Sequence, residues 1–181
     1  MSKGKTSAEW WADVKASPEL LMDWLRKQYH GEVTAAKKMA DFLQQFWIQA
    51  KDLKWIRTVE EIISQEVTHA EWIGALLEVR GEKPALIENK QERYWDATLP
   101  GIDSWESGCA VAAHAEKMRL ERIRVIVADP EAPEDIREVF AKILPQEEFH
   151  EKAFRTFAGD EAMTQALENH LAGQNALGLV A

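Results

Sequence analysis

Apolar residues return every three or four positions along four long stretches of this chain, and each stretch is bounded by a capping residue, a glycine or a proline. In the first, Leu21, Trp24 or Leu25, Gln28 or Tyr29, Glu32, Ala35 or Ala36, Met39, Leu43 and Phe46 fall on one face of a helix. Ser17-Pro18 opens it, with a capping side chain before a proline at the first helical position. The second stripe reads Val59, Ile62 or Ile63, Glu66, His69, Ile73 and Leu76 or Leu77; Asp52 can cap its start, and Gly81 followed by Pro84 stops it. The third reads Trp105, Cys109, Ala112 or Ala113, Glu116, Leu120, Ile123 and Val127, opened by Asp103 and Glu106 at capping-box spacing and closed before Asp129-Pro130. The fourth begins near Pro133 and reads Phe140, Ile143 or Leu144, Glu147, His150, Phe154 and Phe157, ending at Gly159.

Shorter elements flank these four. Ser7 can cap a helix running to about Lys15, whose Trp10 and Trp11 are placed to pack on the main body, and Asp160 can cap a last short helix before a frayed tail after Gly173. Residues 82–102 hold Pro84, Pro100 and Gly101, and make a long connection with room for one short helix. No segment alternates with strand period. The pattern predicts an all-α four-helix bundle over residues 18–158, with a long crossover between the second and third helices, a short helix in residues 1–17, and a short helix and tail in residues 159–181.

Composition narrows what such a bundle can do. At 181 residues the chain is long enough for one substantial core, and no stretch reaches the apolar length of a membrane span. A net charge of -9 argues against nucleic-acid partners, which call for a basic footprint. One cysteine, Cys109, leaves no internal disulfide and no Cys-x-x-Cys metal site; with a start that lacks an apolar signal region, this predicts a cytoplasmic protein. The eight tryptophans supply apolar bulk, and a tryptophan-rich helical surface is compatible with a homodimer.

The chemistry lies in the polar residues caught on the apolar stripes. Glu66-Val67-Thr68-His69 and Glu147-Glu148-Phe149-His150 each put a carboxylate and an imidazole on one helix face, and each pair follows a helix with one inward glutamate, Glu32 or Glu116. Five histidines and a glutamate frequency of about one in eight predict roughly 0.6 Glu-x-x-His pairs by chance, so placement and not number carries the signal. A carboxylate on a buried stripe is costly unless something compensates it, whereas two outward-facing pairs would be solvated and inert. Four carboxylates and two imidazoles suit two iron ions, two manganese ions or a mixed pair, with Glu66 and Glu147 bridging, Glu32 and His69 on one ion, and Glu116 and His150 on the other. Reduced iron there would give electrons to dioxygen or peroxide. Hydrolytic zinc is disfavoured, because such sites rest on more imidazole.

The order Glu32, Glu66-x-x-His69, Glu116, Glu147-x-x-His150 resembles the ferritin-like superfamily, and within it the rubrerythrin-type di-iron proteins, over residues 18–158. That resemblance implies a ferritin-like bundle and a non-haem di-iron oxidoreductase supplied by an external electron donor. The chain departs from rubrerythrins in holding Ala113 where they carry a further glutamate, and in lacking the cysteines of a rubredoxin site. Tyr29-His30-Gly31-Glu32-Val33 is similar to the first-helix stretch of the demethoxyubiquinone hydroxylases, which hydroxylate a quinone ring.

Three function classes are therefore expected to compete. The first is an oxidase or oxygenase acting on a small organic substrate. The second is an iron-oxidising or peroxide-detoxifying protein of ferritin or rubrerythrin type, and the third is a metal-free interaction bundle. Small residues at Cys109, Ala112 and Ala113, one and two turns before Glu116, leave space beside the ions for a substrate unless Trp72 or Phe154 fills it. Tyr29, one turn before Glu32, is the candidate catalytic residue, as a hydrogen-bond or electron donor, with a packed core tyrosine as the alternative. Arg119 can hold Glu116 from outside the ligand set or form an exposed ion pair, Pro145 should kink or bulge the fourth helix, and His30, His114 and His170 fall off the ligand stripe as solvent or packing residues.

Overall fold

Caps set the register of the helices. In the computed structural model, which describes residues 5–88 and 92–178, every regular element is helical. Helix α1 (Ser7–Ala16) starts one residue earlier than Ser7 predicts: the Thr6 hydroxyl accepts from the Glu9 amide at 3.2 Å, and the Glu9 carboxylate accepts from the Thr6 amide at 2.9 Å. Helix α2 (Pro18–Phe46) is capped by Ser17 as predicted, and α3 (Leu53–Val79) by Asp52, whose carboxylate accepts from the Lys54 amide at 2.8 Å. Gly81 adopts φ 79° just beyond α3, the left-handed geometry that lets the chain turn away.

The crossover has no regular structure over residues 82–88, and its later part holds the short helix α4 (Arg93–Thr98) and a 3-10 turn, Leu99–Gly101. The Ile87 amide donates to His30 Nδ1 at 3.1 Å, which ties this segment to α2. Helix α5 (Trp105–Ala128) is capped by Ser104 with Ser107, not by the expected Asp103 and Glu106. The Asp103 carboxylate accepts a hydrogen bond from the Ser107 hydroxyl at 3.0 Å, and Glu106 pairs with Lys51 at 2.9 Å, so both acids are occupied elsewhere.

Helix α6 (Glu134–Ala176) keeps helical dihedrals through Pro145, and its one non-helical residue is Gly159, at φ 73° and ψ 166°. The predicted disruption therefore lies at Gly159 and not beside Glu147. Beyond it the chain stays helical to Ala176 with Gly173 buried against Tyr94, so the segment expected to fray after Gly173 is ordered as far as the described residues run.

Helices α2 and α3 pair, α5 and α6 pair, and the two pairs meet along α3 and α6, while α1 leans on α2 and α5 and α4 on α6. Trp11 and Trp24 pack edge to face at 5.3 Å, and Trp11 Nε1 donates to Asp129 at 2.8 Å, fixing α1 to the end of α5. The core divides into two apolar layers. One gathers Phe46, Val59, Ile62, Trp105, Cys109 and Phe154, and the other Trp24, Leu25, Ile73, Ile123, Phe140 and Ile143. Between them, at mid-height on all four long helices, lies a layer of buried glutamate and histidine. Of the eight tryptophans, Trp47 is exposed, Trp10, Trp55, Trp72 and Trp95 are half-buried, and Trp11, Trp24 and Trp105 are buried. No helix among the described residues is long and apolar enough to cross a membrane.

Candidate metal centre

Each of the six predicted ligands reaches the bundle centre from the helix stripe that carries it. Glu32 comes from α2, Glu66 and His69 from α3, Glu116 from α5, and Glu147 and His150 from α6; five of the six are fully buried and Glu116 is 6% exposed. They form two overlapping groups, Glu32, Glu66, His69 and Glu147, and Glu66, Glu116, Glu147 and His150, with ligand atoms in each group within 4.8 Å of one another. Glu66 and Glu147 belong to both. That sharing follows from the repeated i, i+3 spacing on two facing helices, each of which presents its carboxylate to the midline and its imidazole to one side.

The two imidazoles are held alike. His69 Nε2 lies 2.9 Å from Gln146 Oε1, and His150 Nε2 lies 2.8 Å from Gln65 Oε1, so each ring is oriented by the glutamine that precedes the glutamate on the opposite helix. The Gln65 amide nitrogen donates to Glu61 at 3.2 Å, which fixes its oxygen toward His150. A glutamine oxygen only accepts, so Nε2 carries the proton and Nδ1 is the atom that faces the carboxylates. His150 Nδ1 is 3.1 Å from Glu66, and His69 Nδ1 is 3.4 Å from Glu147. The motif is thus Gln-Glu-x-x-His in both halves, Gln65 to His69 and Gln146 to His150. That repetition was the available signal for the glutamines.

Arg119 departs most from expectation. Its guanidinium reaches inward, pairing with Glu32 and lying 3.1 Å from Glu147 and 4.0 Å from Glu66, with the side chain only 20% exposed. It neither holds Glu116 nor forms an exposed pair, because one turn along α5 from Glu116 points it at the acids of α2 and α6. Burial alone would push the Glu147 carboxyl up, but the Arg119 charge and the His150 and His69 rings hold it well below the usual carboxylate range. Glu66 and Glu116 are shifted upward, first by burial and then by the neighbouring Glu147 charge. Burial works against protonation of His69 and His150, yet the adjacent carboxylates raise both.

One guanidinium does not saturate this centre. Beyond the contacts to Arg119 and among themselves, the buried carboxylate oxygens of Glu32, Glu66 and Glu147, and Nδ1 of His69 and His150, have no hydrogen-bond partner among the described residues. Buried acceptors converging without donors carry a large desolvation cost, and cations that accept mixed oxygen and nitrogen ligands would relieve it. The donor set therefore fits metal ions.

Beside the centre, a cavity of about 310 Å³ runs between α2 and α5, with Glu116 and Arg119 in its wall. Its α5 side is made by Gly108, Ala112 and Ala115, while Cys109 and Ala113 turn into the core against Phe154. Space beside Glu116 is thus present, but one position round the helix from the Cys109 and Ala113 face. Trp72 lies over His69, 5.8 Å between ring centres, and leaves the cavity open.

The Tyr29 ring packs in the apolar layer around Ile73 and Leu77, 3.5 Å from where a Cβ at Gly74 would lie. The histidines off the stripe are all buried. His114 and His170 stack with ring centres 4.7 Å apart, His114 Nε2 donates to the Met163 carbonyl at 2.9 Å, and His170 Nδ1 meets the Tyr94 hydroxyl at 2.8 Å. Burial, with the neighbouring His114, brings His170 down to about 4. These rings pack the C-terminal part of α6 against α4 and α5.

Comparison with known protein families, with curated proteins and with solved structures finds no match to this chain.

Proposed function

We propose that this chain is a non-haem di-iron carboxylate oxidoreductase of ferritin-like type that activates dioxygen or peroxide and oxidises a small organic substrate, with electrons from an external donor. The observation that carries the reading is the pair of four-residue groups sharing Glu66 and Glu147, with converging buried oxygens and nitrogens that Arg119 alone does not satisfy. Glu66 and Glu147 would bridge, Glu32 and His69 would hold one ion, and Glu116 and His150 the other. A manganese pair or a mixed pair would suit the same donors. Iron bound there supplies two electrons to an oxygen-oxygen bond.

The protein's own part is positioning. Gln146 and Gln65 fix the two imidazoles with Nδ1 inward, and the apolar layers on both sides keep water from the centre. Glu116 alone among the ligands lines the cavity, so it is the first ligand an entering molecule meets. The cavity favours an organic substrate over iron storage or peroxide removal, neither of which needs an apolar chamber. Tyr29, one turn before Glu32, is assigned as the hydrogen-bond or electron donor; Tyr29→Phe should load metal normally and turn over more slowly, and an unchanged rate removes it from the mechanism.

The test is metal analysis of protein purified without air, followed by oxygen uptake. About two iron ions per chain, lost in Glu66→Ala and Glu147→Ala with the helical circular dichroism retained, is the expected result. Stoichiometric metal that survives both substitutions, or none in the unaltered chain, would defeat the proposal.

A further inference from the structure

The cavity between α2 and α5 has a shape and a charge that the metal centre does not explain. Along α2 it extends from Trp24 to Phe42, about 27 Å of helix at ~1.5 Å per residue, so it is a long channel and not a round chamber. Small residues, Gly31 and Ala35 on α2 and Ala112 and Ala115 on α5, line its middle, and larger apolar residues line its ends, Phe140 and Ile126 toward one and Phe42 toward the other. The walls carry five cations, Lys27, Lys38, Arg93, Arg119 and Arg122, against two carboxylates, Glu92 and Glu116, in a chain whose net charge is -9. Positive charge is therefore gathered on the walls of a mainly apolar cavity.

Most of these cations are already employed. Lys27 pairs with Asp23, Lys38 with Glu92, and Arg119 with the carboxylates of the centre, while Arg93 is exposed. Arg122 is different. Its guanidinium stacks over Trp10, 4.7 Å from the ring centre, and makes no ion pair or hydrogen bond among the described residues. Arg122 is half-buried, and burial pulls its pKa below the ordinary arginine value against the opposing charge of Glu121, which makes no ion pair with it. Stacking uses the face of the guanidinium and leaves its planar fork of N–H donors for a bidentate acceptor.

We infer that this channel binds a linear amphiphile with one anionic head group, the head on Arg122 and the apolar chain lying along α5 past Arg119 and Glu116. The inference rests on the proposed oxidoreductase reading only in naming the class of molecule brought to that centre. Arg122 lies six residues, about 9 Å, along α5 from Glu116, so the head is fixed at one end and a mid-chain carbon is presented to the ligand residue. A neutral chain would leave Arg122 as costly as before, and a cationic one would add to the five charges.

The experiment is calorimetric titration of the metal-free chain with dodecanoate, dodecan-1-ol and dodecyltrimethylammonium, all below their micellar concentrations. Dodecanoate should bind one per chain and about tenfold or more tighter than the alcohol, with no binding of the ammonium. Arg122→Met should abolish the preference for the acid while leaving alcohol binding, and Arg122→Lys should restore part of it. Ala112→Trp should block both ligands with the helical spectrum retained. Equal affinity for acid and alcohol, absence of dodecanoate binding, or a preference that survives Arg122→Met overturns the inference. Iron stoichiometry measured on the same preparations separates the two readings: metal without dodecanoate binding leaves the centre and removes the channel's role, and dodecanoate without metal does the reverse.

Discussion

Replacing Arg119 by Met tests how the buried acids are kept tolerable before metal arrives. In the metal-free chain the guanidinium pairs with Glu32 and approaches Glu147 at 3.1 Å, and it is the principal charge holding Glu147 ionised against burial. Without it the chain has a limited choice. It either keeps an uncompensated buried carboxylate or takes up a proton, and the second route sets the ceiling. Protonating a carboxyl of ordinary pKa 4.5 at pH 7 costs about 3 kcal/mol at ~1.4 kcal/mol per unit, so Arg119→Met should lower metal-free stability by about that much. For a chain of this size that is a fall of roughly 6–12 °C in melting temperature.

Two further measurements make this specific. Glu147 is a depressed carboxyl, so its contribution is present above its unfolded value of 4.5 and lost as pH falls through the still lower folded value; variant and unaltered chain should therefore converge in acid. Metal ions held at this centre would take over the compensating role of Arg119. The same ~3 kcal/mol should then reappear as a rise of roughly 100-fold in apparent Fe(II) or Mn(II) affinity, read by competition with a chelating dye. An unchanged melting temperature in the metal-free variant, or weaker metal binding, would refute the view that Arg119 stands in for a metal charge.

Gln65→Leu and Gln146→Leu should each weaken metal binding by about 10–100-fold through loss of the imidazole's orienting acceptor, with Gln→Glu recovering most of it, as equilibrium titration would show. Metal loading should release protons, since Glu66, Glu116, His69 and His150 are all raised in the metal-free chain; calorimetry in buffers of different ionisation enthalpy would count them. By the same sign, these four groups stabilise the metal-free fold below their unfolded values, 4.5 and 6.5, and that stabilisation is lost as pH rises through the higher folded ones, so metal-free melting temperature should fall as pH rises above 6.5 while the loaded protein changes little. Gly159→Ala should cost about 1–2 kcal/mol in chemical denaturation, because φ 73° penalises a Cβ although open space surrounds it.

The parts of this structure that a linear pattern can specify are those set within one helix. Glu32, Glu66, His69, Glu116, Glu147 and His150 were legible because each sits on its own helix's apolar stripe, and a 3.6-residue period says which face a side chain takes. Ser17 and Asp52 were legible because a cap acts over three residues. What escaped depends on distances between helices. Arg119 lies three residues after Glu116 and reads as a surface partner for it; only the approach of α2 and α6 to α5 turns it toward Glu32 and Glu147. Gln65 and Gln146 each serve a histidine on the opposite helix, so neither has a role until α3 and α6 are laid side by side, although their repeated place before the glutamate was in plain view. The cavity shows the limit most clearly. Small residues on α5 pointed to open space, but Cys109 and Ala113 are fully buried in the core layer that holds Phe154, while Ala112 and Ala115 line the cavity, a difference of one position that only the packing of neighbouring helices settles. Periodicity thus locates the chemistry on each rod, and the spacing between rods decides which residues share a charge and which leave room for a ligand.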